Sequence, residues 1–308
     1  ETNPDLIGFS FRTYERGFAF NSAKVIKPLG IKMIAGGVHP TILPHDVLNS
    51  GLFDLVIQGD GMGVLGDLLD NYSTVNSQVL QGSKYQDLEA YTKRFFSSEQ
   101  IELMRNTRTF PILTAMGCPF SCSFCVSGQA NLAYFPIESI CKEIQYAVQN
   151  YDIGIVNIMD DLLCINIKRL RLFKKLVKAD NLNLYYSPVH ARTMQFTHEI
   201  AHELAEIGIR EVSFGVESAS PKMLKFLNKN TEIEAAYRVT EICKEFDLIC
   251  RIYLMVGLPT QVREDYEVTL NFLKDAQPDY LCSNYFVPYP GTALYDYCEK
   301  KGHFPDDF

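Results

Sequence analysis

Three cysteines stand close together in the stretch Gly117-Cys118-Pro119-Phe120-Ser121-Cys122-Ser123-Phe124-Cys125, with the spacing C-x-x-x-C-x-x-C. Three thiolates on one short loop match three irons of a cubane cluster, whose usual ligands are cysteine thiolates. Three ligands for four irons leave one iron open. An open metal position is what lets a metal site take up a substrate or cofactor. Gly117 and Pro119 suit a tight, fixed turn. The same residues have other readings. A structural zinc site wants four ligands, often as two C-x-x-C pairs. A two-cluster ferredoxin carries a longer run that ends in Cys-Pro. Three unliganded thiols would be inert core. The chain has neither a second C-x-x-C pair nor the ferredoxin run, so the cluster reading leads.

Such a loop needs a scaffold. From Pro111 onward, strands are expected at 112–115, 154–159, 183–187, 210–215, 250–256 and 280–286. Helices are expected between them at 137–150, 166–179, 197–207, 232–246 and 262–275. Six strands alternating with helices describe an α/β fold with a partial, open, TIM-like (β/α)6 barrel, in which chemistry sits at the C-terminal strand ends. The cysteine loop follows the first of these strands directly. Upstream, strands at 6–11, 31–35 and 52–57 alternate with helices at 18–27 and 64–72, which implies a parallel sheet with crossover helices. Pro28 is expected to end the first of those helices. Residues 73–108 are polar and without period. The expected division is therefore a first domain at 1–75, a linker at 76–108 and the barrel at 109–308.

The chain has 308 residues, a formal net charge of −8 and nine cysteines. Its length allows about two domains and a core that needs no staples. The acidic balance argues against an extended nucleic-acid surface. No apolar run approaches the ~20 residues that span a bilayer. An odd number of unevenly spread cysteines, with no signal peptide, points to a reducing cytoplasm rather than a secreted disulfide framework. The chain begins at Glu1 rather than Met, so a start upstream of it is expected. His198-Glu199-Ile200-Ala201-His202 matches the H-E-x-x-H zinc-protease pattern. Helical geometry puts Ile200, Leu204 and Ile207 on one apolar face and turns both histidines away from it. They are expected on the surface.

The cysteine motif, with Phe124 just before its last cysteine, resembles the signature of the radical S-adenosylmethionine (SAM) enzymes. Met159-Asp160-Asp161 at the end of the second strand resembles that family's paired-acid turn. Phe214-Gly215-Val216-Glu217-Ser218 resembles its fGvES stretch, and Val256-Gly257-Leu258-Pro259 its GlP stretch. Pro288-Tyr289-Pro290-Gly291-Thr292 resembles its PyPGT stretch. The resemblance implies a 4Fe–4S cluster on Cys118, Cys122 and Cys125, with SAM chelating the open iron. SAM would then be cleaved by one electron to methionine and a 5′-deoxyadenosyl radical. It also implies SAM contacts from Phe124, Asp160, Asp161, Arg192, Glu217, Lys229 and Gly257; no catalytic side chain beyond the cluster ligands is assigned. Met116, Thr260 and Gln261 depart from the family pattern.

Pro4 to Leu69 resembles the second half of a cobalamin-binding, Rossmann-like domain. Ala35-Gly36-Gly37-Val38-His39-Pro40-Thr41 resembles its GGvHpT stretch. That resemblance implies cobalamin contacts from Ser10, Gly36, Gly37, His39 and Thr41. The D-x-H-x-x-G motif that supplies an axial histidine is absent. The first two β-α units of such a domain do not appear before Glu1, so an incomplete cobalamin-binding domain is expected. The function expected is a radical SAM enzyme carrying out cobalamin-dependent methylation of carbon or phosphorus in a small organic substrate. Its reductant would be a flavodoxin or ferredoxin. One alternative is a radical SAM cyclase or rearrangement enzyme without methyl transfer, akin to the anaerobic magnesium-protoporphyrin monomethyl ester cyclase. Another is a non-enzymatic iron–sulfur electron carrier or sensor.

Overall fold

The computed structural model describes residues 4–74, 78–83, 96–126, 132–180 and 184–304. The elements of the first stretch are β1 (Leu6–Ser10), α1 (Arg16–Ile26), β2 (Lys32–Gly36), α2 (Val38–Ile42), α3 (Pro44–Asn49), β3 (Leu55–Gln58), α4 (Met62–Asp70) and β4 (Gln78–Gln81). Then come α5 (Ser98–Thr107), β5 (Thr109–Ile112), β6 (Ala115–Met116), β7 (Ala133–Tyr134), α6 (Ile137–Tyr151), β8 (Ile155–Ile158) and α7 (Ile167–Ala179). They are followed by β9 (Tyr185–Tyr186), β10 (Val189–Ala191), α8 (His198–Ile207), β11 (Glu211–Glu217), α9 (Pro221–Phe226) and α10 (Ile233–Glu245). The last are β12 (Ile249–Val256), α11 (Arg263–Ala276), β13 (Tyr280–Tyr285) and α12 (Ala293–Lys300). The chain is an α/β protein that divides into two compact units, one of residues 1–87 with 288–308 and one of residues 88–287.

The first unit carries a parallel sheet in the order β1-β2-β3-β4. Alternation along its strands sends Ile7, Phe9, Met33, Ala35 and Val56 to one face, where Phe11, Phe20 and Phe53 complete a core. Ile34, Leu55 and Ile57 point to the other face and meet Leu68 of α4. The second unit holds two parallel runs, β5-β8-β9 and β10-β11-β12-β13, and a short antiparallel pair, β6-β7, at the two ends of the cysteine loop. Its helices bury one stripe each. In α6 the stripe is Ile137, Ile140, Cys141, Ile144 and Ala147, which is helical spacing. Side-chain caps start several of them: Asn166 on α7, Thr197 on α8 and Ser220 on α9 each accept a backbone N–H. Among the described residues no helix is long and apolar enough to cross a membrane.

The expected boundaries move. α5 lies inside the stretch read as linker. Ser97 and Gln100 cap it reciprocally, and Met104 enters the core of the second unit. The rest of that stretch falls in part outside the described residues. The tail beyond 287 groups with the first unit, not with the barrel as expected. There Gly291, at φ +80°, lies so close to Ile42 that an added Cβ would stand 2.5 Å from it. The strand expected at 112–115 is instead β5 followed by the two-residue β6. The strand expected at 183–187 is split into β9 and β10, and residue 183 lies outside the described residues.

His39 sits at the heart of the first unit, 2% exposed. Its Nε2 lies 3.3 Å from Asp46 Oδ2, and its Nδ1 lies 3.3 Å from Thr13 Oγ1. Burial pushes its pKa below the ordinary 6.5, against a smaller upward pull from Asp46. The folded unit therefore holds a neutral imidazole that the unfolded chain protonates below pH 6.5. Stability from this group is complete above pH 6.5 and is lost as pH falls towards the depressed folded value. Amide exchange of β1 and β2 is expected to quicken between pH 7.5 and 5.5, after correction for intrinsic rates, and the His39→Gln variant is expected to show no such pH dependence.

Candidate functional site

β11 organises the site. Val212, Phe214 and Val216 point into the core. The intervening Ser213, Gly215 and Glu217 line a cavity of about 290 Å3. Cys118, Cys122, Phe124 and Cys125 form one wall of that cavity, and Asp161, His190, Arg192 and Lys229 also face it. The volume is near the lower end of small-molecule pockets, ~300–1,000 Å3. A larger hollow of about 520 Å3 lies around α9 and the start of α10, but it carries no thiol.

The end of β11 is irregular. The register against β12 shifts between Gly215 and Glu217, and Glu217 has φ +66°. A bulge of this kind re-aims a side chain, and a non-glycine residue in the left-handed region stores strain that the surroundings must hold. Here they do. Lys229 Nζ donates to Glu217 Oε1 at 2.8 Å, and both side chains are 10% exposed. Gly215 makes room for the pair. A Cβ there would stand 2.5 Å from Glu217 Oε1 and 3.0 Å from Lys229 Nζ. Lys229 Nζ also lies 5.5 Å from the centre of the Phe124 ring.

The cysteine loop is tied to the segment after α9. The Ser123 N–H donates to the Leu227 carbonyl at 2.9 Å, and Ser123 Oγ donates to the Phe226 carbonyl at 3.2 Å. Asn228 Nδ2 donates to the Ser121 carbonyl at 2.7 Å. Gly117 turns the chain into the loop with φ +88°. Both ends of the loop converge on Arg169, whose Nη2 donates to the carbonyls of Thr114 and Phe135 at 2.8 Å each. Its guanidinium lies over Tyr134, 4.5 Å from the ring centre.

The structure thus brings together Cys118, Cys122, Phe124, Cys125, Asp161, Arg192, Glu217 and Lys229. Asp160 is elsewhere. It is buried, its carboxylate accepts from the backbone and hydroxyl of Thr114, and it is not among the residues lining the cavity. Burial raises its pKa, and the Thr114 hydrogen bonds oppose the rise. Gly257, at φ +75°, stands at the end of β12, where its N–H donates to Tyr266 Oη. It is not among the residues lining this cavity. Arg192, expected among the SAM contacts, has its Nη1 3.4 Å from Cys122 Sγ. His198 is exposed, with Nε2 3.1 Å from Glu245, and His202 is exposed beside Phe246. Among the described residues no three His, Cys, Asp or Glu side chains converge as ligands of one ion.

Ser213 and His190 were not singled out from the sequence. They are register partners on neighbouring strands, and the alternation of β11 was the signal that marks Ser213. Its hydroxyl is buried and has no protein partner. An orphaned hydroxyl facing a cavity is what a bound polar ligand would satisfy. Burial lowers the pKa of His190, with Asp161 pulling weakly the other way. The donor set fits a four-iron cluster: three partly exposed cysteines on one loop, beside a cavity with a buried ion pair and an unsatisfied donor.

The five residues expected at cobalamin lie in the first unit and divide into two groups. Gly37, at φ +96°, is pressed against Phe11 and Ser10 Oγ, so its missing Cβ serves the loop itself. Thr41 Oγ1 donates to the Gly37 carbonyl and accepts from the Gly59 N–H. His39 is held by Asp46 and Thr13. Ser10 is exposed, and Gly36, its register partner, has nothing within 4 Å of where a Cβ would stand. The same is true of Gly8 and Gly59. Open, bare backbone at Gly8 and Gly36 fits a flat group laid against the sheet.

A model of the radical SAM superfamily matches residues 112–273. The chain is 26% identical, over 96% of its length, to an uncharacterized methyltransferase of Pyrococcus horikoshii, and covers 69% of that protein. It is 24% identical to the anaerobic magnesium-protoporphyrin IX monomethyl ester cyclase of Rubrivivax gelatinosus, over 95% of this chain and 58% of the cyclase. Among solved structures, it shares the fold of the radical SAM methyltransferase TsrM from Kitasatospora setae with cobalamin and a 4Fe–4S cluster bound. The TM-score is 0.82 at 17% identity, over 98% of this chain and 65% of TsrM. The cobalamin-dependent radical enzyme OxsB with aqua-cobalamin and SAM bound gives a TM-score of 0.72 at 17% identity, over 97% of this chain and 47% of OxsB. The chain thus spans between about half and two thirds of most of these proteins.

Gly215→Ala is the sharpest probe of the site. The atoms in its way are the ends of two flexible side chains, so the fold is expected to persist while the Glu217–Lys229 pair is displaced. SAM binding, measured by equilibrium dialysis on the reconstituted protein, is expected to weaken about tenfold, ~1.4 kcal/mol, with a lowered thermal midpoint but cooperative unfolding retained.

Proposed function

The chain belongs to the radical SAM superfamily, whose match covers more than half of its 308 residues, and on that premise we propose that it is a cobalamin-dependent radical SAM methyltransferase acting on carbon or phosphorus of a small organic substrate. The observation that carries the reading is the convergence of Cys118, Cys122 and Cys125 with Asp161, Glu217 and Lys229 on one cavity at the C-terminal strand ends. When bound, the cluster supplies the electron that cleaves SAM into methionine and a 5′-deoxyadenosyl radical. Cys118, Cys122 and Cys125 would hold the cluster and would leave one iron to the amino and carboxylate groups of SAM. Lys229 faces that carboxylate, and Glu217 fixes Lys229. Asp161 borders the same space, and Phe124 gives it an apolar wall. Gly257 and its neighbours at the end of β12 receive the adenine. Ser213, with no protein partner, donates to a ligand oxygen or nitrogen.

The two parallel runs of the second unit are read as parts of one open barrel, and the first unit as the later half of a Rossmann-like cobalamin domain. Ser10 and Gly36 would touch the cofactor, while Gly37, His39 and Thr41 shape the loop beside it. The likeness to a named methyltransferase and to TsrM and OxsB supports this reading. Likeness to the cyclase supports a second one, in which the same radical closes a ring without methyl transfer. A flavodoxin or ferredoxin in the cytoplasm is the proposed reductant.

The test is anaerobic reconstitution with iron and sulfide, then incubation with SAM, a strong reductant and cobalamin, with products read by mass. 5′-Deoxyadenosine is expected, and is expected to fall to background in Cys122→Ala. S-Adenosylhomocysteine beside it supports methyl transfer, and its absence favours ring closure. A full complement of iron with neither product overturns the enzyme reading in favour of an electron carrier.

A further inference from the structure

Arg192 follows β10 and faces the cavity, but its guanidinium is already committed. Nη1 donates to Cys122 Sγ at 3.4 Å. Nη2 donates to the backbone carbonyl of Lys229. Its flat face lies on the Phe120 ring of the cysteine loop, 3.9 Å from the ring centre. A guanidinium is planar and cannot give up its charge. Three contacts of different kinds therefore fix one permanent positive charge, and one N–H, on the sulfur of a single cysteine of the three. Lys229, by contrast, keeps its ammonium on the cavity side with Glu217.

We propose that Arg192 is a positioning and tuning residue for the cluster, raising its reduction potential through the N–H bond to Cys122 Sγ, rather than a binding residue for an anionic group of SAM. The inference rests on the cluster reading above. Cluster potentials respond to net charge and to hydrogen bonds at the sulfurs. Reduction adds one electron, supplied by a low-potential reductant, and makes no bond. The added negative charge falls largely on iron and sulfur, so a fixed cation and donor at one sulfur favour the reduced form. Phe120 and the Lys229 carbonyl keep the donor aimed. The arrangement also links the potential to the site, because the same backbone that accepts from Arg192 carries the ammonium paired with Glu217.

The experiment is a redox titration of the reconstituted protein followed by electron paramagnetic resonance, beside equilibrium dialysis of SAM. Arg192→Gln is expected to hold the same iron and bind SAM within about twofold of the parent, yet to be about tenfold harder to reduce, ~59 mV lower for a one-electron couple. Arg192→Lys, which keeps the charge but not the planar fork, is expected to fall between them. Equal potentials in all three proteins, or unchanged potential with tenfold weaker SAM binding, overturn the proposal and return Arg192 to SAM. If Arg192→Gln fails to hold iron, the comparison of Arg192→Lys with the parent decides in the same way. A parent protein that takes up no four-iron cluster overturns the enzyme reading itself, and the proposal with it.

Discussion

A loop that carries three cysteines close together on one side of a cavity contributes little packing of its own, so it has to be held from outside. That constraint shapes the second unit. The loop leaves β6 and returns in β7, and Arg169 grips the carbonyls of Thr114 and Phe135 just outside these two ends. Its middle is bonded to residues 226–228 through Ser121 and Ser123. Arg192 adds a third tie, from the end of β10 to Phe120 and Cys122. Each tie starts from an element anchored in the core, where Phe196 and Phe214 meet edge to face at 4.9 Å. The thiols are thereby set by strands and helices far apart in sequence.

The ion pair at the end of β11 depends on the same frame. Glu217 adopts a left-handed backbone that only its neighbours sustain, and Lys229 reaches it from the segment that also anchors the cysteine loop. Removing one partner of a well-buried pair costs ~3–5 kcal/mol, because the other charge is left uncompensated. The pair is therefore poor as a stabilising device and good as a fixed set of charges facing a cavity. Polar groups are prearranged before any ligand arrives, which is how a binding site avoids ordering itself at the moment of use.

Much of this was legible in the sequence where one rule dominated. Helices such as α6 declare themselves by apolar spacing, and the parallel strands by short apolar runs between them. The cysteine spacing pointed to the loop without any help from the fold. Other features are settled by tertiary contacts that local patterns do not encode. Two adjacent acids, Asp160 and Asp161, look alike in sequence, yet a strand end sends one to Thr114 and the other to the cavity. Arg192 reads as a SAM contact, and only the fold shows the Phe120 ring and the Cys122 sulfur beside it. For His39 the sequence shows a resemblance to a cofactor loop, and only the fold shows Asp46 and Thr13 on its two ring nitrogens. The polar stretch after β4 hides α5 because its capping box is short and only Met104 is buried. Ser213 carries the reverse lesson: the alternation of β11 already placed it beside Gly215 and Glu217, and only its lack of a partner remained to be seen.

The most direct test of the central claim is whether SAM binds the open iron of a cluster on Cys118, Cys122 and Cys125. The reconstituted, reduced protein would be mixed with SAM labelled with nitrogen-15 in its amino group, and the cluster signal examined by electron–nuclear double resonance. The account predicts a reduced four-iron signal whose shape changes with SAM and which shows hyperfine coupling to the labelled nitrogen. A four-iron signal indifferent to SAM, with no coupling, would contradict it and leave an electron-transfer protein in its place.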